Sequence, residues 1–281
     1  MIRRMREADI PAGMVLKQAA GWNQTEQDWE NILALEPEGC WIYEAGGKVA
    51  GAATTVCYGV ELAWIGMVLT LPDYRRRGIA RALMEEALRF CASREVRCVK
   101  LDATDMGRPL YAKLGFEDQS LIERWRITLP DPAGAGSPPD EPPRLEDVSR
   151  IAALDRRAFG ADRRAILGRL AGRFPDECWA LPGAYLMARP GSNAHFLGPC
   201  VAEDHEAARR LIEALLRRHP GESFFWDLLP DNPAATSLAQ SLGFEHKRTL
   251  IRMVWNQPGR GTGKAGDRPD LVVAAAGFEY G

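Results

Sequence analysis

The chain has 281 residues, of which 46% are hydrophobic and 26% charged, and its 36 basic and 38 acidic side chains leave a net charge of −2. This length predicts two domains at about 150 residues each, and the composition excludes a disordered or fibrous protein. The balanced charge excludes a global attraction for nucleic acid or anionic membranes, so we expect neither as a partner.

The first half alternates strand-like and helix-like periodicities. In chain order, the pattern predicts a strand at 2–6, helices at 9–20 and 25–35, strands at 40–43, 49–56 and 62–70, a helix at 78–91, a strand at 98–102, a helix at 109–114 and a strand at 121–128. The apolar stretch 49–71 carries a single charge, Glu61, and has the length of a bilayer-spanning helix. Its Thr, Val and Gly content and the turn-like residues 58–61 favour two buried strands instead.

A proline-rich segment separates the two halves. Residues 130–143 hold six prolines, which cannot join a helix or a central strand, so we expect a linker between domains at 1–129 and 144–281. A second polar, glycine-rich stretch at 257–269 predicts a long loop that leads to a last strand at 271–276.

The second half repeats the order of the first. The pattern predicts helices at 148–159 and 162–173, strands at 178–181, 185–188 and 196–201, a helix at 206–218, a strand at 223–228, a helix at 233–242 and a strand at 247–255. The offset of 128 that places Leu83 on Leu211 also places Leu-Gly-Phe-Glu at 114–117 on the same four residues at 242–245. This shared register predicts a duplicated domain.

The cysteines and histidines show no pattern of a metal site. None of the six cysteines forms a CxxC pair, and the four histidines have no metal-ligand spacing. We therefore expect reduced thiols and no metal. The start of the chain lacks the apolar core of a signal peptide, so we expect a cytoplasmic protein.

Residues 68–83 carry the most informative pattern, which is a strand, a basic glycine-containing turn and a helix start. Main-chain N–H groups at a helix N-terminus are unpaired and attract anions. Gly78 and Ala80 leave room for a ligand near the main chain, and three arginines at 75–77 add positive charge. The turn is therefore either a pyrophosphate cradle or a solvated strand–helix connection.

This segment resembles motif A of the GCN5-related N-acetyltransferase (GNAT) superfamily, whose loop of Arg or Gln, two variable residues, Gly, one variable residue and Gly or Ala stands here at 75–80. The resemblance implies an α/β (α+β) fold with two tandem GNAT-like domains, each a mixed, mostly antiparallel sheet flanked by helices. It implies acetyl-CoA as cosubstrate, with the main chain of 76–81 on the pyrophosphate, strand residues paired with pantetheine, and a strand bulge that directs an N–H at the thioester carbonyl. The implied CoA-binding residues are Val68, Leu69, Thr70, Arg75, Arg76, Arg77, Gly78, Ile79, Ala80, Arg81 and Thr104.

A second segment, residues 110–116, looks like the family helix that follows the fifth strand. The resemblance implies that Tyr111 lies near the CoA sulfur and donates a proton to the leaving thiolate, and the alternative is a packed tyrosine. Thr104 stands where the family often has Asn, seven residues before that tyrosine. Its hydroxyl could still contact pantetheine.

The acceptor side of the site is less clearly marked. An alkylamine is almost fully protonated at pH 7, so its attack needs a base or an apolar pocket. Strand 62–70 contains no carboxylate; Asp102 on the neighbouring strand is the best candidate base and Glu61 a weaker one. Trp22 and Asn23 lie between the first two helices, where GNAT folds admit the acceptor. Trp22 and Trp64 could form aromatic walls for an ammonium group, or pack in the core.

The second copy lacks these features. At the same offset, the loop at 75–80 becomes Glu-Asp-His-Glu-Ala-Ala at 203–208, and the position of Tyr111 becomes Ala239. An acidic loop repels a diphosphate. We therefore expect a degenerate second domain that keeps the fold, binds no acyl-CoA, and either shapes the acceptor site or supports an oligomer.

The sequence thus predicts an acetyl-CoA-dependent N-acetyltransferase. It would transfer acetyl to a primary amine, on a small molecule or a peptide, by direct attack in a ternary complex in the first domain. The alternatives are a non-catalytic acyl-CoA sensor and an acyltransferase with another acyl-CoA or a hydroxyl acceptor. The identity of the acceptor and a homodimeric state stay open.

Overall fold

The computed structural model describes residues 1–131, 141–256 and 267–281. Most of the expected linker at 130–143 and of the expected loop at 257–269 lies outside these residues. The described chain divides into two compact units, and each contains segments from both halves. The domain bounds 1–129 and 144–281 therefore stay a prediction, because the units follow spatial contacts and not chain order.

Unit 1 is built mainly from residues 1–119, together with the segments that begin at Ile251 and Phe278. Its sheet has the order β1-β2-β3-β4-β5-β11, in which the β4–β5 pair is parallel and the other pairs are antiparallel. The elements are β1 (Ile2–Arg4), α1 (Ile10–Ala19), α2 (Glu26–Leu35), β2 (Cys40–Ala45), β3 (Lys48–Tyr58), β4 (Leu62–Thr70), α3 (Ile79–Ser93), β5 (Cys98–Ala103), α4 (Arg108–Lys113) and the second half of β11 (Glu245–Asn256).

The two faces of this sheet differ in chemistry. One face carries Ile65 and Val99, which pack with Leu83 of α3 in an apolar cluster. Because successive strand residues point to opposite faces, the residues next to them face the other way. That second face, called the polar face below, carries Trp64 and Lys100, both buried. The helix α1 packs against β3 and β4, and α2 packs against β3.

Unit 2 repeats this arrangement. Its sheet has the order β6-β10-β9-β8-β7, with the β9–β10 pair parallel and β12 paired antiparallel to β9. The elements are β6 (Glu117–Thr128) from Ser120 onward, α5 (Ser149–Phe159), α6 (Arg164–Arg173), β7 (Cys178–Leu181), β8 (Ala184–Arg189), β9 (His195–Ala202), α7 (His205–Arg218), β10 (Ser223–Leu228), α8 (Pro233–Ser241), the first part of β11 and β12 (Val272–Ala274). The mixed, mostly antiparallel fold expected from the sequence is confirmed.

Each sheet is closed by a strand from the opposite half of the chain. In unit 1, Arg252 of β11 pairs with Asp102 of β5. In unit 2, Trp125 of β6 pairs with Trp226 of β10. The sequence predicted both closing strands but not this exchange.

The apolar stretch 49–71 forms strands β3 and β4, as predicted. In the described ranges no helix is long and apolar enough to cross a membrane. All six cysteines are free, and the same ranges contain no group of three His, Cys, Asp or Glu that could hold a metal ion.

Candidate active site

The centre of the candidate site is a gap between the parallel strands β4 and β5. They pair only over three residues of each strand, ending at Trp64 and Lys100. β4 then continues to Thr70, while β5 continues along β11 on its other side. Within the described chain, no strand pairs with the β5-facing edge of β4 beyond Trp64. Such an edge can take up an extended amide ligand as an added strand.

A β-bulge interrupts β4 inside this gap. The register with β3 changes from Ala52 opposite Leu69 to Thr54 opposite Gly66, so Met67 and Val68 together face one residue of β3. Met67 has a φ of 48°, in the left-handed region. A bulge turns main-chain groups out of the ladder and redirects them. The bulge implied by the family resemblance is therefore present.

The loop after β4 leads into an uncapped helix. Arg76 and Gly78 have φ angles of 60° and 78°, and left-handed residues of this kind gather successive N–H groups into a concave anion site. Gly78 is the N-cap of α3 and supplies no side-chain hydrogen bond. A Cβ at Gly78 would meet no atom within 4 Å. The first N–H groups of α3 are thus exposed to a ligand.

Positive charge surrounds this helix start. The residues at 75–77 are all exposed arginines. Arg75 donates to the Thr70 carbonyl at 3.4 Å, and Arg77 lies 5.3 Å from the ring centre of Tyr74. Arg81, in the first turn of α3, forms an exposed ion pair with Glu85 at 3.4 Å. These weak exposed contacts leave the guanidinium groups free to turn toward a diphosphate.

Tyr111 lies on α4 inside the apolar cluster of unit 1. Its ring is 6.1 Å from that of Phe116, and a Cβ at Gly107 would lie 2.7 Å from the Tyr111 ring. Burial raises the pKa of the Tyr111 phenol above its ordinary value, so the hydroxyl stays protonated at neutral pH. Among the described residues the hydroxyl has no hydrogen-bond partner. Thr104 begins the turn before α4 and accepts a hydrogen bond from the Gly107 N–H at 3.3 Å.

Asp102 is held by a partner that the sequence did not reveal. Arg252 donates to both carboxylate oxygens, at 2.9 and 3.1 Å, and the two side chains are 0% and 9% exposed. The Arg252 guanidinium also lies 4.6 Å from the ring centre of Trp64. Asp102, Arg252 and Trp64 therefore form one buried group on the polar face of the sheet. Because Arg252 lies 150 residues away along the chain, no local pattern could identify it.

The expected acceptor-side residues occupy different surroundings. Trp22 is half-buried, whereas Asn23 is 5% exposed in the connection between α1 and α2. Trp64 is buried, and its indole N–H donates to the carbonyl of Phe278 at 3.0 Å. Glu61 precedes β4 at the end opposite the bulge, about 20 Å from it along the strand. The structure therefore brings Trp64 toward Asp102 and leaves Glu61 outside the group.

In unit 2 a strand of the same chain fills the equivalent gap. β9 and β10 pair in parallel as far as Leu197 and Trp226. Beyond that point β12 pairs with Cys200 and Val201 of β9, whose other edge is taken by β8. The Trp226 indole N–H donates to the Val273 carbonyl at 2.8 Å. The edge that would bind a pantetheine is thus already hydrogen-bonded.

The helix start in unit 2 is also occupied. Only Glu203 and Asp204 separate β9 from α7. The Asp204 carboxylate accepts hydrogen bonds from the N–H groups of Glu206 at 3.1 Å and Ala207 at 3.3 Å. This internal cap takes the groups that a diphosphate would need. The absence of acyl-CoA binding by the second copy stays a prediction, and this cap and β12 give it a physical basis.

The comparisons with known proteins agree on the family. Residues 5–116 match the model of the acetyltransferase (GNAT) family, and residues 151–263 match the model of an acetyltransferase (GNAT) domain. An uncharacterised N-acetyltransferase of Bacillus subtilis is 24% identical over 220 residues, which are 75% of this chain and 76% of that protein. Another from Methanocaldococcus jannaschii is 28% identical over 103 residues, 34% of this chain and 46% of that protein.

Solved structures agree on the fold. A Pyrococcus horikoshii protein described as a candidate acetyltransferase has a TM-score of 0.82 at 20% identity, covering 100% of this chain and 95% of its own. A tandem GNAT protein from the clavulanic acid biosynthesis pathway has a TM-score of 0.64 at 18% identity, covering 93% of this chain and 98% of its own. The chain belongs to the GNAT acetyltransferase family and contains two GNAT domains in tandem.

Proposed function

We propose that this protein is an acetyl-CoA-dependent N-acetyltransferase that acts on a primary amine, with its active site in unit 1. One observation carries the proposal. The bulged edge of β4 leads to the N-terminus of α3, which has no side-chain cap and follows three exposed arginines in the chain. This arrangement suits a ligand with extended amides at one end and a diphosphate at the other, which is the chemistry of CoA.

The residues of unit 1 fit this cosubstrate. The main chain of 76–81 would hold the pyrophosphate, and Val68, Leu69 and Thr70 would contact the pantetheine amides. The Thr70 hydroxyl is buried and has no hydrogen-bond partner in the described ranges, so it has a free donor for such a contact. When bound, acetyl-CoA supplies the acetyl group as an activated thioester.

Two groups of the chain would stabilise the charges that develop during acetyl transfer. The main-chain N–H at the Met67 bulge would donate to the thioester carbonyl and stabilise the negative charge that develops on its oxygen. Tyr111 would donate its proton to the leaving thiolate. Because burial raises the pKa of Tyr111, the phenol retains that proton at neutral pH until the thiolate forms.

The acceptor must lose a proton before it attacks. At a pKa of about 10.4, about one alkylamine molecule in 2500 is neutral at pH 7, which corresponds to a cost of about 4.6 kcal/mol. Asp102 is the base in this proposal. A proton on Asp102 would displace one hydrogen bond from Arg252, at a further cost of about 1.5–3 kcal/mol. Proton uptake by Asp102 therefore requires the loss of one of its hydrogen bonds from Arg252.

A pair of glycine variants tests the proposal. Gly78→Glu places a carboxylate at the uncapped start of α3, so we expect the affinity for CoA to fall by more than about tenfold. Gly46→Glu is the matched control, because Gly46 also has a positive φ, of 57°, and a Cβ there would likewise meet no atom within 4 Å, but it lies in the β2–β3 turn.

Calorimetry with CoA and thiol release from acetyl-CoA across a panel of amines measure the outcome. We expect wild type and Gly46→Glu to bind CoA equally and to release thiol with at least one amine. Equal CoA binding by Gly78→Glu would contradict the cradle. Saturable CoA binding without thiol release from any amine would contradict the transferase and support an acyl-CoA sensor.

A further inference from the structure

Solvent reaches the gap between β4 and β5 just beyond its closed end. The last pair across the gap joins Trp64 of β4 to Lys100 of β5, and both residues are buried. Two residues further along β5, Asp102 is partly exposed although its side chain is 0% exposed, so the exposed atoms belong to its main chain. Because β11 covers the other edge of β5, these atoms face the gap. On the β4 edge, Val68 and Thr70 are half-buried. The gap is therefore open beyond the pair of Trp64 and Lys100.

The proposed function defines the direction of a bound acyl-CoA along β4. The pyrophosphate would lie at the start of α3, which follows the C-terminal end of β4, and the pantetheine along residues 68–70. The thioester carbonyl would then lie at the Met67 bulge. The acyl group is on the far side of this carbonyl from the pantetheine. It would therefore point along β4 toward Trp64 and the closed end of the gap.

The indole ring of Trp64 lies over this closed end, on the polar face of the sheet. Its centre is 4.6 Å from the guanidinium carbon of Arg252. The same guanidinium donates to the Asp102 carboxylate of β5 at 2.9 and 3.1 Å. Arg252 belongs to β11, which pairs with the other edge of β5, so the ring and the guanidinium meet over β5. The indole thus extends from β4 over β5 at the end of the gap.

Contacts on two sides hold the indole in this position. Its N–H donates to the carbonyl of Phe278 at 3.0 Å, and the Arg252 guanidinium packs over the ring. Glu279, next to Phe278, covers the neighbouring part of β4, since a Cβ at Gly66 would lie 2.9 Å from the Glu279 Cα. Trp64 itself is 1% exposed. A buried ring with these contacts has little freedom to turn away from a longer ligand.

The second GNAT domain shows that the fold does not require a large ring at this position. At the closed end of the equivalent gap in unit 2, the last parallel pair joins Leu197 of β9 to Trp226 of β10. Leu197 thus has the place that Trp64 has in unit 1. There β12 pairs with β9 beyond this point, whereas in the described ranges β4 has no such partner on its β5-facing edge. The indole is therefore found in the copy whose gap is open.

We propose, resting on the function proposed above, that Trp64 is the residue that limits the length of the acyl group. An acetyl group ends before the indole, whereas a longer straight chain collides with the ring and with the pair of Trp64 and Lys100. Phe278 and Arg252 are positioning residues that keep the indole in place. The preferred cosubstrate is accordingly a short-chain acyl-CoA.

Trp64→Leu removes the ring and introduces the side chain that unit 2 has at this position. We expect wild type to bind acetyl-CoA at least about tenfold more tightly than hexanoyl-CoA, and Trp64→Leu to bind the two within about twofold of each other. Trp64→Phe keeps a smaller ring and should give an intermediate ratio. Trp41→Leu is the matched control, because Trp41 is a buried tryptophan of unit 1 that lies on β2 in the apolar cluster. It should keep the wild-type ratio.

Calorimetry with acetyl-, butyryl- and hexanoyl-CoA on the full chain measures these affinities, and thiol release with the best amine of the panel gives the same comparison as kcat/KM. Equal binding of the three acyl-CoAs by wild type, or the wild-type ratio in both Trp64 variants, would overturn this inference and leave the proposed function standing. An equal shift in Trp41→Leu would also overturn it, since it would indicate a general loosening of unit 1. No turnover by wild type with any amine would overturn the proposed function and this inference together.

Discussion

At the level of single residues, a substitution of Tyr111 can distinguish a role in proton donation from a role in packing. Removal of its hydroxyl in Tyr111→Phe leaves the apolar contacts with Phe116 in place and deletes the proposed acid. We expect kcat for thiol release to fall by at least about tenfold, while the affinity for acetyl-CoA is unchanged. Because burial raises the pKa of Tyr111 above its ordinary value of 10.0, no alkaline loss of activity below that pH should come from this group.

Tyr43→Phe is the control for that substitution. Tyr43 lies on β2 and packs against the same apolar cluster, away from the gap between β4 and β5. Its variant should keep the wild-type kcat. Equal rates for Tyr111→Phe and wild type would make Tyr111 a packing residue.

Single residues also show what a local pattern can reveal. The proposed phosphate cradle at Gly78 could be predicted from the sequence because such a cradle is built from consecutive main-chain groups. Arg252 could not be identified in this way, since it reaches Asp102 from a distant part of the chain. A contact between residues so far apart along the chain produces no spacing pattern in a single sequence.

At the level of elements, α3 and α7 differ at their N-termini although each follows the corresponding strand of its own GNAT domain. Both helices follow a strand that carries a register shift. The N-terminus of α3 has no side-chain cap, whereas Asp204 caps α7. The sequence predicted an acidic loop that repels a diphosphate, and the structure adds that this carboxylate already bonds the helix N–H groups. The pairing of β12 with β9 joins segments that are far apart along the chain, so the residues of β12 alone do not predict it.

His195, at the start of β9, predicts how the folding stability of the protein depends on pH. His195 stacks on Phe224 with ring centres 5.1 Å apart and lies 4.7 Å from the His219 ring. Burial, and secondarily the proximity of His219, lower the pKa of His195, while Glu222 and Glu177 act in the opposite direction. Below the ordinary pKa of 6.5 the unfolded chain therefore binds this proton more readily than the folded chain, and stability falls as pH falls.

Urea unfolding of the full chain at about pH 7.5 and about pH 5.5 measures this effect. We expect the midpoint of wild type to fall more on acidification than that of His195→Asn, which cannot titrate. His205→Asn removes an exposed histidine at the start of α7 and should behave as wild type. The same acid-dependent loss in His195→Asn and wild type would show that His195 does not contribute.

At the level of the whole molecule, the sequence predicted the duplication but not the exchange of closing strands. Both strands were predicted close to their observed ranges, β6 as 121–128 and β11 as 247–255. Because the two halves are copies, β6 and β11 offer similar antiparallel ladders to β5 and β10. Local periodicity cannot decide between such equivalent partners. The exchange brings Arg252 to Asp102, the base in the proposed function.

The number of CoA molecules bound per chain depends on both GNAT domains. Calorimetric titration of the full chain should give one site, because the gap of unit 1 has an unpaired β4 edge in the described ranges whereas β12 fills that of unit 2. Gly78→Glu should weaken CoA binding at this site by more than about tenfold. Asp204→Gly uncaps α7 but leaves β12 paired with β9, so the stoichiometry should stay at one. Two sites in wild type, or a second site in Asp204→Gly, would show that β12 does not block the second copy.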